Sequence, residues 1–188
     1  MRDSPRGVII DRVSALHAGD PATFATDVLD EGPAELEYEP GVASRRPTKT
    51  CAGGALIRDS TGRVLFVVPI YKAVLDIPGG MAEDDESPKA ATIREIREEL
   101  GLSRPLGRLL VVDWTPRNGI WRDCHQFVFD GGVVDDAVAH DPELSGVVYL
   151  TLDDAKPKIY PSLHRRLTLA VAALESGTTR YAEFGREV

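Results

Sequence analysis

Cysteine, histidine and basic charge are all scarce in this 188-residue chain, and each scarcity narrows what it can be. The two cysteines, Cys51 and Cys124, lie far apart in sequence and outside any CxxC pair. Four scattered histidines complete no zinc-ligand spacing with them. Both are read as free thiols of a reducing compartment, and the expected location is cytoplasmic. Basic residues number 22 against 30 acidic ones, a formal charge of −8. That excludes a broad electrostatic grip on a nucleic-acid polymer. Phosphorylated small molecules stay open as ligands, provided cations stand between two negative partners. Long apolar runs are missing too. The opening MRDSPRGVIIDRVSALHAGD has only a short apolar run before Asp11, which is no secretory signal. Nothing later approaches the ~18 apolar residues of a membrane span, so no membrane association is expected.

What is present is core: 43% of residues are hydrophobic, too many for a disordered chain. Residues 1–50 read as an N-terminal extension of uncertain order. Ile9, Val13 and Leu16 fall at helical spacing, and Leu36 and Tyr38 alternate with glutamates as in a short half-exposed strand. GVASRRPTKT reads as a linker. From Cys51 the signals sharpen. CAGGALIR and VLFVVPIY flank DSTGR, a hairpin pattern. LGRLLVVDW, CHQFVFD and GVVYLTL read as further strands. Ser87 and Pro88 open a helix over residues 88–100, and Gly101 closes it. Leu163, Leu167, Ala170, Val171 and Leu174 mark a second helix, stopped at Gly177. A domain over 51–176 follows, with a tail over 177–188 that is either frayed or an added edge strand. Strands in a block with interposed helices predict an α+β fold, a mixed sheet covered by helices.

The REIREE segment of the first helix carries the chemistry. At 100° per residue, Glu98 lies roughly 60° to one side of Glu95 and Glu99 roughly 40° to the other. Three carboxylates therefore share one side of the helix, while Ile93, Ile96 and Leu100 form a buried stripe on another. Like charges so spaced cost a few tenths of a kcal/mol per pair, a penalty that a divalent cation removes. An oxygen-only ligand set favours Mg²⁺ or Mn²⁺ over zinc. Arg94, one turn before Glu98, is placed to hold a ligand carboxylate in one rotamer. Gly79-Gly80 is read as a tight turn before the helix, where a main-chain carbonyl reaches the metal and the substrate comes close to the backbone.

The spacing extends beyond the helix. Gly80, five residues, Glu86, seven residues, then Arg94-Glu95-Ile96, one residue, Glu98-Glu99, one residue, Gly101-Leu102 matches every position of the Nudix box. The chain thus resembles the Nudix hydrolase family, over residues 51–175 when the flanking strands are included. The resemblance implies an α/β/α sandwich with a mixed central sheet and Mg²⁺- or Mn²⁺-dependent hydrolysis of a nucleoside diphosphate linked to another moiety. Glu95, Glu98 and Glu99 match the metal-binding carboxylates, with Glu95 alternatively helping to activate water. Gly80 matches the turn whose carbonyl contacts metal, Arg94 the residue that orients the glutamates, and Glu86 a secondary box acid. Some members draw their general base from a later loop. Glu143 in DPELSG is the candidate here, with Asp135, Asp136 and Asp141 in the same loop.

Outside the box the signals thin. Tyr71, Trp114 and Trp121 are candidates for stacking on a base or lining an apolar pocket. Pro116 falls where ADP-sugar hydrolases of the family carry a proline. The tyrosine of dinucleoside-polyphosphate members is absent at Asn118-Gly119-Ile120, and the upstream signature of coenzyme A members is not visible. ADP-ribose-like compounds or nucleoside triphosphates are the expected substrates. Two alternatives stay open: a non-nucleotide diphosphate such as an isoprenyl diphosphate, and a nucleotide-binding sensor or scaffold without turnover. A homodimer in which the extension crosses to its neighbour is equally consistent with the sequence.

Overall fold

Strand β1 (Thr50–Arg58) organises the molecule, because its edges receive three partners. The computed structural model describes Pro33 and residues 36–188, so the helix expected near residues 9–16 lies outside the described residues. On one edge β1 pairs in parallel with β5 (Cys124–Val133), with Thr50 opposite Cys124. On its other edge it pairs antiparallel with β2 (Val64–Pro69) at one end and β3 (Gly79–Met81) at the other. Antiparallel β6 (Leu144–Leu150) flanks β2, and β4 (Leu109–Thr115) flanks β5. Beyond β4 come β7 (Arg180–Glu183), parallel to it, and antiparallel β8 (Arg186–Glu187). The sheet is mixed, with order β6-β2-β1-β5-β4-β7-β8 and β3 beside β1.

Side chains alternate across a strand, and that alternation sorts the core into two layers. Leu56, Phe66, Leu110 and Val128 point to one face, where Leu163, Leu167 and Ala170 cover them. These last belong to α3 (Pro161–Ser176), which follows the short α2 (Leu152–Ala155). Ala55, Ile57, Leu65 and Phe129 point to the other face, beneath Ile96 and Leu100 of α1 (Pro88–Leu100). The result is an α/β/α sandwich of the α+β class, as expected. Helix α1 begins where the Ser87 hydroxyl accepts from Ala90 N–H at 3.1 Å and ends at left-handed Gly101.

Two local readings change, and one left open is decided. Residues 36–39 form no strand, because the Glu37 carboxylate accepts from Gly41 and Ala43 N–H groups at 2.7 and 2.9 Å and caps a turn leading into the 3₁₀ helix Ala43–Arg45. Gly79-Gly80 forms part of β3, not a free tight turn, because Gly54 and Gly53 lie directly opposite them. The tail after Gly177 supplies β7 and β8.

One buried polar contact binds three elements. Asp113, on β4, is fully buried and accepts from Arg166 Nε of α3 at 2.7 Å and from Gly185 N–H, between β7 and β8, at 2.9 Å. A second carboxylate organises the β1–β2 turn. Asp59 Oδ1 accepts from Thr61 N–H, Thr61 hydroxyl and Arg63 N–H, while Oδ2 accepts from Arg63 Nε at 2.7 Å. Burial alone would raise its pKa, but the Thr61 and Arg63 hydrogen bonds and the Arg63 charge outweigh it and hold the group at about 2. A folded pKa below the unfolded one stabilises the fold above the unfolded pKa and loses that stabilisation as pH falls. Stability should therefore drop as pH goes from about 4 toward 2, and the Asp59→Asn variant should show a smaller drop over that window. Urea unfolding of both proteins across this range checks it.

Candidate active site

Helix α1 is pinned by its apolar stripe, so its opposite side is presented at the end of β3 with little freedom to rotate. Arg94 is the hub. Its guanidinium donates to both Glu86 oxygens, from Nε at 3.0 Å and Nη2 at 2.9 Å, which is the bidentate geometry that suits a carboxylate. Nη1 donates to Glu95 at 2.9 Å and to Glu98 at 3.1 Å, and Nη2 also reaches the Met81 carbonyl at 3.1 Å. The Glu86 pairing pulls the Arg94 pKa up and the Glu86 pKa down. Arg94 thus ties the loop before the helix, the strand before the loop and two of the three box glutamates into one frame.

The third glutamate is held differently. Glu99 accepts from Gly79 N–H at 2.9 Å and has no basic partner among the described residues. Burial pushes its carboxyl up to about 8; the Gly79 hydrogen bond opposes this, while Glu95, Asp76 and Asp141 add like charge. Glu95 is raised as well, first by burial, against the pull of Arg94. Gly80 lies under Glu95: a Cβ there would stand 2.2 Å from Glu95 Oε1. At Gly79 the backbone has φ 146°, and a Cβ would meet the Gly53 carbonyl oxygen at 2.2 Å. Gly79→Ala should therefore destabilise the fold by roughly 1–3 kcal/mol, through overpacking and strain together. Denaturant titration reads this directly.

The loop carrying Glu143 reaches the same place. His140 N–H donates to the Glu99 carbonyl at 2.8 Å, and Ile70 N–H donates to the Glu143 carbonyl at 2.9 Å. Glu143 is exposed, with its own N–H capped by Asp141 Oδ1 at 2.7 Å. Tyr71 stands close enough for Glu143, Glu99 and Asp76 all to act on its hydroxyl, whose pKa is raised, chiefly by burial. Two residues were missed by sequence reasoning. Asp76 bonds to Lys72 Nζ at 2.6 Å and adds its charge to the surroundings of Glu99. The available signal was their position just ahead of the glycine pair, where β2 hands the chain back toward β3. Trp114 and Trp121 are not beside Tyr71. Trp114 Nε1 donates to Asp123, and Trp121 lies exposed in the β4–β5 turn.

The donor set is all oxygen: carboxylates of Glu95, Glu98 and Glu99 and main-chain carbonyls at the glycine pair. Glu99, half-buried among acids and with no cation paired to it among the described residues, is the observation that fits a hard divalent ion. Among the described residues no three His, Cys, Asp or Glu side chains already converge as a cage, since Arg94 draws Glu95 and Glu98 to itself.

A family model, the NUDIX domain, matches residues 48–171, well over half the chain. The chain belongs to the NUDIX domain family. Its Nudix fold recurs in solved structures at low identity. The MutT protein from Methanosarcina mazei Go1 is 23% identical with TM-score 0.56, covering 71% of this chain and 97% of that one. An ADP-ribose pyrophosphatase from Streptococcus suis is 20% identical with TM-score 0.58, covering 72% and 99%. A UDP-X diphosphatase is 19% identical with TM-score 0.60, covering 84% and 80%. Identities this low establish a shared fold. No curated protein matches the chain. No helix among the described residues is long and apolar enough to cross a membrane.

Proposed function

We propose that this Nudix domain hydrolyses the diphosphate linkage of a nucleoside diphosphate joined to another moiety, with Mg²⁺ or Mn²⁺ as cofactor. The observation that carries the proposal is the carboxylate face of α1, held in register by Arg94 and completed by a half-buried Glu99 that has no cation beside it among the described residues. Glu95, Glu98 and Glu99, with the Gly80 carbonyl, are the groups that would hold the ion. When bound, a divalent ion neutralises the diphosphate oxygens and the leaving phosphate and makes the attacking water more acidic. The protein's own part is positional. Arg94 fixes two glutamates, the β3 glycines let a substrate approach the main chain, and the water's proton passes to a carboxylate. Glu95 and Glu143 are the two candidates for that base, Glu95 from the helix and Glu143 from the loop anchored to its last turn.

An ADP-ribose pyrophosphatase and a UDP-X diphosphatase among the fold neighbours support a nucleotide-linked diphosphate as substrate class, with nucleoside triphosphates the next class to test. The decisive experiment offers ADP-ribose, nucleotide sugars, nucleoside triphosphates and isoprenyl diphosphates with Mg²⁺ or Mn²⁺, following products by mass spectrometry. Metal-dependent cleavage of a nucleotide-linked diphosphate, lost in Glu98→Gln, is the expected result. No cleavage of any compound, with thermal stabilisation by one of them, would make the chain a binding domain.

A further inference from the structure

The parallel register of β1 and β5 has a consequence outside the carboxylate face. With Thr50 opposite Cys124, the segments that precede the two strands emerge side by side, although more than seventy residues separate them in sequence. Both segments are basic: SRRPTK before β1 and RNGIWR before β5. Arg122 donates to the Thr48 hydroxyl, and Lys49 pairs with Asp123, joining them. Between them lies a cleft of about 530 Å³ whose walls include Arg46, Thr48, Arg117, Arg122 and one acid, Asp123, which Lys49 holds.

The charges do not cancel. Arg45 is neutralised by Glu39 at 2.8 Å and Lys49 by Asp123. Among the described residues Arg46, Arg117 and Arg122 pair with no carboxylate. Three uncompensated guanidinium groups thus face one cleft in a chain whose net charge is −8. A tight turn, in which Asn118 and Trp121 exchange main-chain hydrogen bonds at 3.1 and 3.0 Å, carries Trp121 next to Arg122 in the chain, outside the cleft's walls and 65% exposed. Its indole offers a flat apolar face with one polar edge.

We propose that this cleft is a phosphate-binding site, in which Arg46, Arg117 and Arg122 grip the phosphates of a mononucleotide-sized ligand and Trp121 stacks on its base. Planar guanidinium groups bind phosphate oxygens two at a time, and an exposed tryptophan offers any base a π-face. The cleft volume is that of a small-molecule site, and the chain's overall charge opposes a polymer. Thr48 is four residues before Ala52, which pairs with Met81 next to Gly80. At most about 14 Å of chain separates Thr48 from Ala52, and the glycine pair lies opposite the next two residues of β1. The phosphates come from one of two sources, the distal part of the substrate or a separate nucleotide.

Calorimetric titration of the full chain with ADP, and with inorganic pyrophosphate, in EDTA tests the site without turnover. Saturable ADP binding is expected, weakened at least about tenfold in Arg117→Gln/Arg122→Gln and in Arg46→Gln on the other segment. Arg117→Lys/Arg122→Lys should retain part of it, and Trp121→Ala should remove the advantage of ADP over pyrophosphate. Equal ADP affinity in the glutamine variants, absence of saturable binding, or tighter binding of a short DNA oligonucleotide at physiological salt would each overturn the proposal. A turnover arm with ADP-ribose, which rests on the proposed hydrolase activity, separates the sources. A higher KM at unchanged kcat in Arg117→Gln/Arg122→Gln assigns the site to the substrate's own phosphates, whereas an unchanged KM with a rate that responds to added ADP assigns it to a second ligand; either supports the site. If ADP-ribose is not cleaved at all, the EDTA titration still decides, so the two failures are distinguishable.

Discussion

The Glu99→Gln variant is expected to lose at least about a hundredfold in turnover of any diphosphate substrate while unfolding within about 1 kcal/mol of the parent. The two halves of that expectation have separate grounds. Glutamine keeps a carbonyl oxygen where the Gly79 N–H donates, so the link between α1 and β3 survives. It also replaces a carboxyl whose ionised form is disfavoured beside Glu95, Asp76 and Asp141 with a neutral group of the same shape. What it cannot replace is a charged oxygen for a divalent ion, and that loss falls on the reaction. Steady-state kinetics beside denaturant titration reads both. A variant that unfolds would make Glu99 a structural acid, and one that keeps full turnover would leave the proposed metal face without a role.

Asp113→Ala should have the largest effect on stability, a loss of about 3–5 kcal/mol. The substitution strands the Arg166 guanidinium, 9% exposed, with no counter-charge, and leaves the Gly185 N–H without its acceptor. Uncompensated charge inside a core costs far more than the pair contributes, because desolvation is no longer offset. For a chain of this size the melting temperature should fall by roughly 6–20 °C. The double variant Asp113→Leu/Arg166→Met tests the reason: with no charge left to bury, it should recover most of the loss. If the double variant were as unstable as the single one, the Gly185 contact or packing, not the charge, would account for the effect.

Residues that speak through local chemistry were legible from the start. Ser87, Pro88 and Gly101 bound α1 as their capping chemistry requires. Leu163, Leu167 and Ala170 cover the sheet as their helical spacing demands. The box itself is a chain-local pattern, since one helix and the loop before it carry every residue from Gly80 to Leu102. Arg94 was expected to meet Glu98 one turn away, and it does so. Its bidentate grip on Glu86 was not foreseen, because it depends on how the loop folds back over the helix.

The amino-acid order alone therefore determined the sandwich, the family and the carboxylate face, each encoded within a few turns of chain by periodicity, capping and like-charge spacing. Only the tertiary structure decided what surrounds that face. Sheet pairing converts Gly79-Gly80 from a turn into β3. The anchoring of His140 on Glu99 brings the Glu143 loop to the helix end, and the course of the chain between β2 and β3 sets Asp76 against the same carboxylate. The parallel β1–β5 register gathers arginines from two distant segments into one cleft. These contacts join residues tens of positions apart, so no local pattern announces them. Their geometry exists only once the backbone hydrogen bonds of the sheet have fixed which strands are neighbours.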